Sequence, residues 1–530
     1  MNTPQPHHRA EATSAGRRPG RLTTLLGATV AIACLAGIAT ASQPAATTRT
    51  DRALTADADA YAPPEPASFQ NGAARMPAAL KTAVRRDLGL APAQYLAAAD
   101  AARTASRTAT RLGDGITASW LDQDLRLHVT ATTRHAAEAA QAAGAEVHRK
   151  DPLAAEAQRR NATDDKNTYW VDRIRNKVSS YTASSMQIMK KKTTDTLAGG
   201  YGYVFATDQG KARCSLGFFG TGAFGQPLNF TAGHCVEPAL PTSDIELLDL
   251  DTPTSNGGTP KITGTMGTPG SGNIGLGDDG GIINITDPAR TTATVSTWGG
   301  GQGSQSDGPR VPVHDSTGVI TGMPVCKSGS TTGWTCGRVT VTETTEVIGD
   351  GAGGIAGEVT GFLFDACILS GDSGGAILSG NYAVGVDSFG NMRTCADAGT
   401  EGKLAGGFAL TAGTRNAETM FGDHFNLDIH VGAPTITGVT TVRPSPSHKP
   451  HRVLSGTVDA AAGAIVRVRV GLTHDMTTTV QEGGIWSLPL PTFTRPGINI
   501  VTATASHTPN GSDLTTTGKT TRATVIVPIH

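Results

Sequence analysis

Residues 365–375 read Asp365-Ala366-Cys367-Ile368-Leu369-Ser370-Gly371-Asp372-Ser373-Gly374-Gly375. A serine among glycines is either a nucleophile or part of a Gly-rich surface turn. A nucleophilic hydroxyl needs a base to take its proton and donors for the oxyanion. Glycine at 371 lets the backbone turn so that its N–H and that of Ser373 point to one spot. Gly374 and Gly375 leave room for close backbone approach.

The base is sought upstream. Phe230-Thr231-Ala232-Gly233-His234-Cys235 follows an apolar run, Leu228-Asn229-Phe230. A lone histidine is more often structural, but this one sits beside a cysteine in the cysteine-bearing part of the chain. The other histidine between Cys214 and Cys395 is His314, which has no such context. The two stretches together set the turn reading aside.

Thr-Ala-Gly-His-Cys at 231–235 and Gly-Asp-Ser-Gly-Gly at 371–375 resemble the chymotrypsin-type serine proteases. More closely, they resemble the bacterial alpha-lytic protease/streptogrisin family. Arg213-Cys214-Ser215-Leu216-Gly217-Phe218 and Val325-Cys326-Lys327 through Trp334-Thr335-Cys336-Gly337 are similar to its first two disulfide segments. The resemblance covers the whole middle of the chain. It implies a double β-barrel and the pairs Cys214–Cys235, Cys326–Cys336 and Cys367–Cys395, each contributing about 2–4 kcal/mol.

It also implies roles. Ser373 is the nucleophile, His234 its base, and the amides of Gly371 and Ser373 the oxyanion donors. The chain order His, Asp, Ser calls for an aspartate between them. In Gly277-Asp278-Asp279-Gly280-Gly281-Ile282-Ile283, aligning the last three residues favours Asp279 over Asp278. Gly280 departs from the aromatic common in the family. Asp287 and Asp315 fit less well. Asp372 is expected to pair with Lys327, where the family usually has arginine. Gly385-Val386-Asp387-Ser388-Phe389-Gly390 resembles the strand that pairs with extended substrate. Ser388, Phe389 and Gly390 are its binding candidates, Phe389 packing on a substrate side chain or inside the barrel. Asp365 stands two residues before Cys367, at the pocket floor of trypsin-type relatives. It would select Lys or Arg there; the default is a large apolar side chain.

The surrounding chain fits an exported zymogen. Arg17, Arg18 and Arg21 precede an apolar run from Leu22 to Ala41 ending in Ala39-Thr40-Ala41, the pattern of a signal peptide over 1–41. A membrane anchor is the alternative, disfavoured by the Ala, Gly and Thr content of the run. Removing the run with Cys34 leaves six cysteines, an even number that implies disulfides in an oxidising compartment. No metal-ligand spacing appears, and no cofactor is expected. With Lys+Arg at 44 against Asp+Glu at 45, nucleic acid is not an expected partner.

All six cysteines lie between Cys214 and Cys395, which divides the chain into zones. Residues 42–196 read as α+β: helix over Met76–Arg111 restarting at Pro92, strands at Ile116–Trp120 and Leu125–Val129, a helix over Thr133–Ala143 closed by Gly144, and a hairpin around Asn176. Residues 113–150 resemble the family's pro-region, which assists folding and then inhibits. Maturation is expected between Lys190 and Gly199, near Leu197 or at Lys190-Lys191-Lys192. Residues 197–432 carry short β-prone runs split by Gly and Pro. Residues 433–530, with strands at Ile465–Val470, Ile485–Leu488, Asn499–Thr504 and Thr524–Val527, read as an Ig-like sandwich without a disulfide, a spacer or a binder of a surface or polymer.

The expectation is a mainly β, secreted serine endopeptidase acting on protein or peptide substrates. A catalytically dead adhesin using the last domain is the alternative. An esterase is disfavoured by the absence of a Gly-x-Ser-x-Gly elbow and of α/β alternation.

Overall fold

A computed structural model describes residues 60–151, 196–208, 210–239, 241–249, 262–350, 354–443, 450–471, 474–492 and 494–528. The expected signal peptide, the hairpin around Asn176 and the Lys190–Lys192 run lie outside the described residues.

The N-terminal zone places helices Ala78–Leu88 and Pro92–Leu112 in succession. Gly89 ends the first at φ 67°, a conformation that costs other residues more. Pro92 opens the second, where its missing N–H is no loss. Strand Ile116–Leu121 runs antiparallel to Leu127–Ala131. Helix Arg134–Ala142, capped by the Thr133 hydroxyl, then returns the chain to Glu146–His148, parallel to Leu127–Ala131. That third strand is too short to show periodicity in sequence. Leu80, Val84 and Tyr95 join one apolar cluster with Trp298 and Trp334 of the middle zone.

The middle zone is two curled sheets. The first has eight strands, with Pro227–Ala232 and Asp278–Ile285 adjacent near its centre. The second runs in the order Tyr382–Gly390, Ala376–Ser379, Pro324–Gly329, Gly333–Gly349, Ile355–Phe364, Ala405–Ala409. The last strand pairs back with the first, so this sheet closes as a six-stranded barrel and leaves no edge there. Gly333–Gly349 and Ile355–Phe364 form a long hairpin broken by register shifts, where short strands were expected. The chain is anchored from its start in this zone: Leu197 N–H donates to Arg290 O at 2.6 Å.

The C-terminal zone is a sandwich. One sheet holds Thr435–Val442, His451–Thr457 and Ile485–Pro489; the other is built on Ile465–Val470 and Gly497–His507. Ile465–Val470 alternates exposed and buried, as its sequence requires. Val466, Val468, Trp486, Val501 and Ala503 share one core between the sheets.

Candidate active site

Strand Pro227–Ala232 is buried almost throughout and delivers the chain into the turn Gly233–Cys235. The turn lies hard against the neighbouring strands: a Cβ at Gly233 would sit 1.8 Å from Asn273 O. Only glycine fits there. A disulfide from Cys235 to Cys214 pins the other side.

Strand Asp278–Ile285 pairs with Pro227–Ala232, Gly280 opposite Ala232. That register sets Asp279 beside His234. His234 Nδ1 lies 2.9 Å from Asp279 Oδ2, and the His234 backbone N–H donates to Oδ1 at 2.8 Å. Ser388 Oγ donates to Oδ2 at 2.5 Å. Burial works to raise the Asp279 carboxyl, but the charge and hydrogen bonds of His234, with the Ser388 bond, hold it below the usual carboxylate range. Asp278 points elsewhere, 3.7 Å from Arg415. Gly280 has a packing reason: a Cβ there would lie 2.7 Å from Met420 Sδ and 3.0 Å from Phe408 Cε1.

The Gly371–Gly375 turn uses φ of 94° at Gly371 and 81° at Gly374. The Gly371 carbonyl accepts from Ser215 Oγ and Ser330 Oγ, both at 2.8 Å. Ser373 O accepts from Ser215 N–H at 2.8 Å. With those carbonyls fixed, the N–H groups of Gly371 and Ser373 have no protein acceptor among the described residues. A Cβ at Gly374 would lie 3.1 Å from Ala232 N, which puts the Ser373 turn against the strand that leads to His234. No hydrogen bond joins His234 to the Ser373 hydroxyl among the described residues; such bonds often tighten only with substrate present.

Asp372 is fully buried and holds the turn from behind. It lies 3.0 Å from Lys327 Nζ, itself fully buried. It accepts from the N–H groups of Thr331, Thr332 and Leu369 at 2.9, 3.0 and 2.9 Å and from Thr332 Oγ1 at 2.7 Å. Burial opposes its charge, and Lys327 with these donors outweighs burial, so the carboxyl stays below its usual range.

The other candidates divide. Ser388 has its side chain engaged by Asp279, so its hydroxyl supports the aspartate rather than a substrate. Phe389 is 1% exposed and its ring packs over Gly406 inside the barrel, the second of the two placements its sequence left open. Gly390 faces Ile368: a Cβ at Gly390 would lie 2.9 Å from Ile368 Cγ2. Asp365 Oδ1 accepts from the Arg338 backbone N–H at 2.6 Å; burial pulls the Arg338 guanidinium below its ordinary value, and the Asp365 charge only partly opposes that. The three disulfides link Cys214–Cys235, Cys326–Cys336 and Cys367–Cys395. Cys214, His234 and Cys235 lie close enough to suit a metal, but the two sulfurs are bonded to each other.

Sequence reasoning passed over Asp387. It is fully buried, and neither carboxyl oxygen has a hydrogen-bond partner among the described residues. Burial pushes it well above its usual range; Lys327 opposes that and Asp372 adds to it. The available signal was an aspartate directly after the apolar run Ala383-Val384-Gly385-Val386.

Residues 212–406 match the family model described as Trypsin. Serine protease 2 of Streptomyces fradiae is 33% identical over 188 residues, 35% of this chain and 92% of that protein. Glutamyl endopeptidase 2 of Streptomyces griseus is 32% identical over 179 residues, 34% of this chain and 79% of that protein. Streptogrisin-C of Streptomyces griseus is 33% identical over 192 residues, 36% of this chain and 35% of that protein, so the match spans about a third of that relative's length.

Proposed function

The chain belongs to the trypsin family of serine endopeptidases, and from that premise we propose that it is a secreted zymogen whose triad is Ser373, His234 and Asp279. The observation that carries this is the buried chain Ser388–Asp279–His234, together with a Gly371–Gly375 turn whose Gly371 and Ser373 N–H groups have no protein acceptor among the described residues. Ser373 attacks the peptide carbonyl as His234 takes its proton. The tetrahedral oxygen is held by the amides of Gly371 and Ser373, each worth about 2.7–4 kcal/mol. His234 then gives the proton to the leaving amine, and water repeats the cycle on the acyl-enzyme. Asp279 fixes the imidazole tautomer and stabilises its charged form. A dead adhesin would have no use for this set.

The primary pocket takes an apolar side chain. Ile368 facing Gly390 supports this, as does Asp365, one carboxylate oxygen of which accepts the Arg338 backbone N–H.

Residues 42–196 act as the pro-region, residues 197–432 as the protease domain, and residues 433–530 as an Ig-like module. Contacts that support the first assignment run across the second barrel. Cys336 N–H donates to Asp87 at 3.0 Å, Gly380 N–H to Tyr95 OH at 3.0 Å, and Leu121 N–H to Thr321 O at 2.9 Å. A barrel made of non-local pairings folds slowly, and a docked segment can template it.

The test is the secreted protein on a peptide library. Cleavage after large apolar residues, abolished by Ser373→Ala, is expected. Cleavage confined to Lys or Arg sites that disappears in Asp365→Ser would overturn the pocket assignment.

A further inference from the structure

Arg103, on helix Pro92–Leu112, is 4% exposed, and two carboxylates meet it. Asp100, on the same helix, lies 2.6 Å away, and Glu482 of the C-terminal sandwich lies 2.5 Å away. The guanidinium stacks 5.0 Å over the ring of Tyr382, which belongs to the protease barrel. Next to it, Arg75 Nη2 donates to Gly483 O at 2.9 Å. One loop of the sandwich, Glu482–Gly484, thus touches the N-terminal zone at two separate arginines.

The sandwich is itself fixed to the protease elsewhere. Asp459 lies 2.9 Å from His314 Nε2 and 3.2 Å from His430 Nε2. Asp315 meets His507 at 2.8 Å and accepts the Asn510 N–H at 2.9 Å. The loop is therefore held in place by bonds that do not involve the N-terminal zone. Between the three zones lies a cavity of about 530 Å³, lined among others by Leu80, Tyr95, Pro312, Tyr382, Thr457 and Glu482. The N-terminal zone shares apolar cores with the protease barrel, whereas this cavity lies between it and the sandwich, where the contacts of the Glu482–Gly484 loop are polar.

We propose that the Glu482–Gly484 loop is a clasp for the N-terminal segment, keeping it on the enzyme after the chain is cut and so prolonging latency. The C-terminal sandwich is then a wall of the inhibitor site, and its partner is the Arg75–Arg103 face of this chain's own N-terminal zone. This rests on the reading of residues 42–196 as a pro-region.

The test uses the full chain in three versions: wild type, Glu482→Arg and, as a control on the same sandwich, Asp475→Ala. Asp475 pairs only with Arg467 and Arg469 of its own sheet among the described residues. After secretion, mass spectrometry identifies the cut, and gel filtration with time measures loss of the N-terminal fragment from the mature chain. Glu482→Arg should shed the fragment about tenfold faster, since losing one partner of a shielded charge pair acts on the off-rate. Asp475→Ala should match wild type, and turnover of a small peptide after release should be equal in all three. If Glu482→Arg is not secreted, Glu482→Gln serves the same comparison. A cut chain that releases the fragment at one rate in all versions overturns the clasp alone. A chain that stays uncut in every version overturns the pro-region reading and the clasp with it.

Discussion

Replacing Lys327 by methionine keeps the apolar stem and removes the positive charge that faces Asp372. The two groups are 3.0 Å apart with both side chains fully buried. At an effective dielectric constant of about 20, unit charges at that distance attract by about 5.5 kcal/mol. Asp372 keeps four donors, from Thr331, Thr332 and Leu369, which offset part of the loss. The expected cost is therefore about 3 kcal/mol, the low end for breaking a buried pair. Because the folded Asp372 carboxyl lies below its unfolded value, its contribution is complete above about pH 4 and is lost as the pH falls through the folded value. Without Lys327 the folded value rises, and acid unfolding should begin at a higher pH. The assay is thermal and acid unfolding in a Ser373→Ala background, which prevents self-digestion, with kcat/KM measured in the active background. A loosened Gly371 amide should lower kcat/KM by about a hundredfold. Lys327→Met combined with Asp372→Asn should recover part of the stability, because a neutral pair leaves no uncompensated charge. Wild-type stability and wild-type kcat/KM in Lys327→Met would refute the pair's role in ordering the turn.

Asp279→Asn should leave the fold intact and lower kcat by about 10⁴, the loss known for removing this charge from a Ser-His-Asp triad. Ser388→Ala should show a smaller kcat loss with little change in KM, read by steady-state kinetics on one peptide. Asp387→Val should stabilise the protein by about 1–3 kcal/mol at neutral pH, since it removes a buried acid with no hydrogen-bond partner among the described residues. The folded Asp387 keeps a proton that the unfolded chain releases near pH 4, so its burden grows as pH rises from there toward the folded value. The gain in unfolding temperature should therefore be larger at pH 8 than at pH 4; an equal gain at both would contradict a raised carboxyl.

The parts of the site legible in the sequence are those written in local constraints. Gly371 and Gly374 sit at positive φ, and Gly233 where no side chain fits, so these motifs tolerate little else. Asp279 was reachable through the spacing of Gly281-Ile282-Ile283, yet the absence of an aromatic at 280 is explained only by Met420 and Phe408, about 130 residues away. Ser388 was placed on the right strand but given to the substrate; its bond to Asp279 joins two different sheets. The same non-locality hid the Arg103–Glu482 contact, which no periodicity encodes. The long hairpin from Gly333 to Phe364 was missed because its outer half alternates Thr and Glu and so lacks the apolar signal of a buried strand.

The central claim is that Ser373 is a nucleophile activated by His234. The direct measurement is labelling of the matured chain with a serine-reactive phosphonate, with the modified peptide located by mass spectrometry. A single adduct at Ser373, formed in step with loss of peptidase activity and slowed at least a hundredfold in His234→Ala, is the expected result. An active chain that takes no label at Ser373, or that labels equally fast without His234, would contradict it.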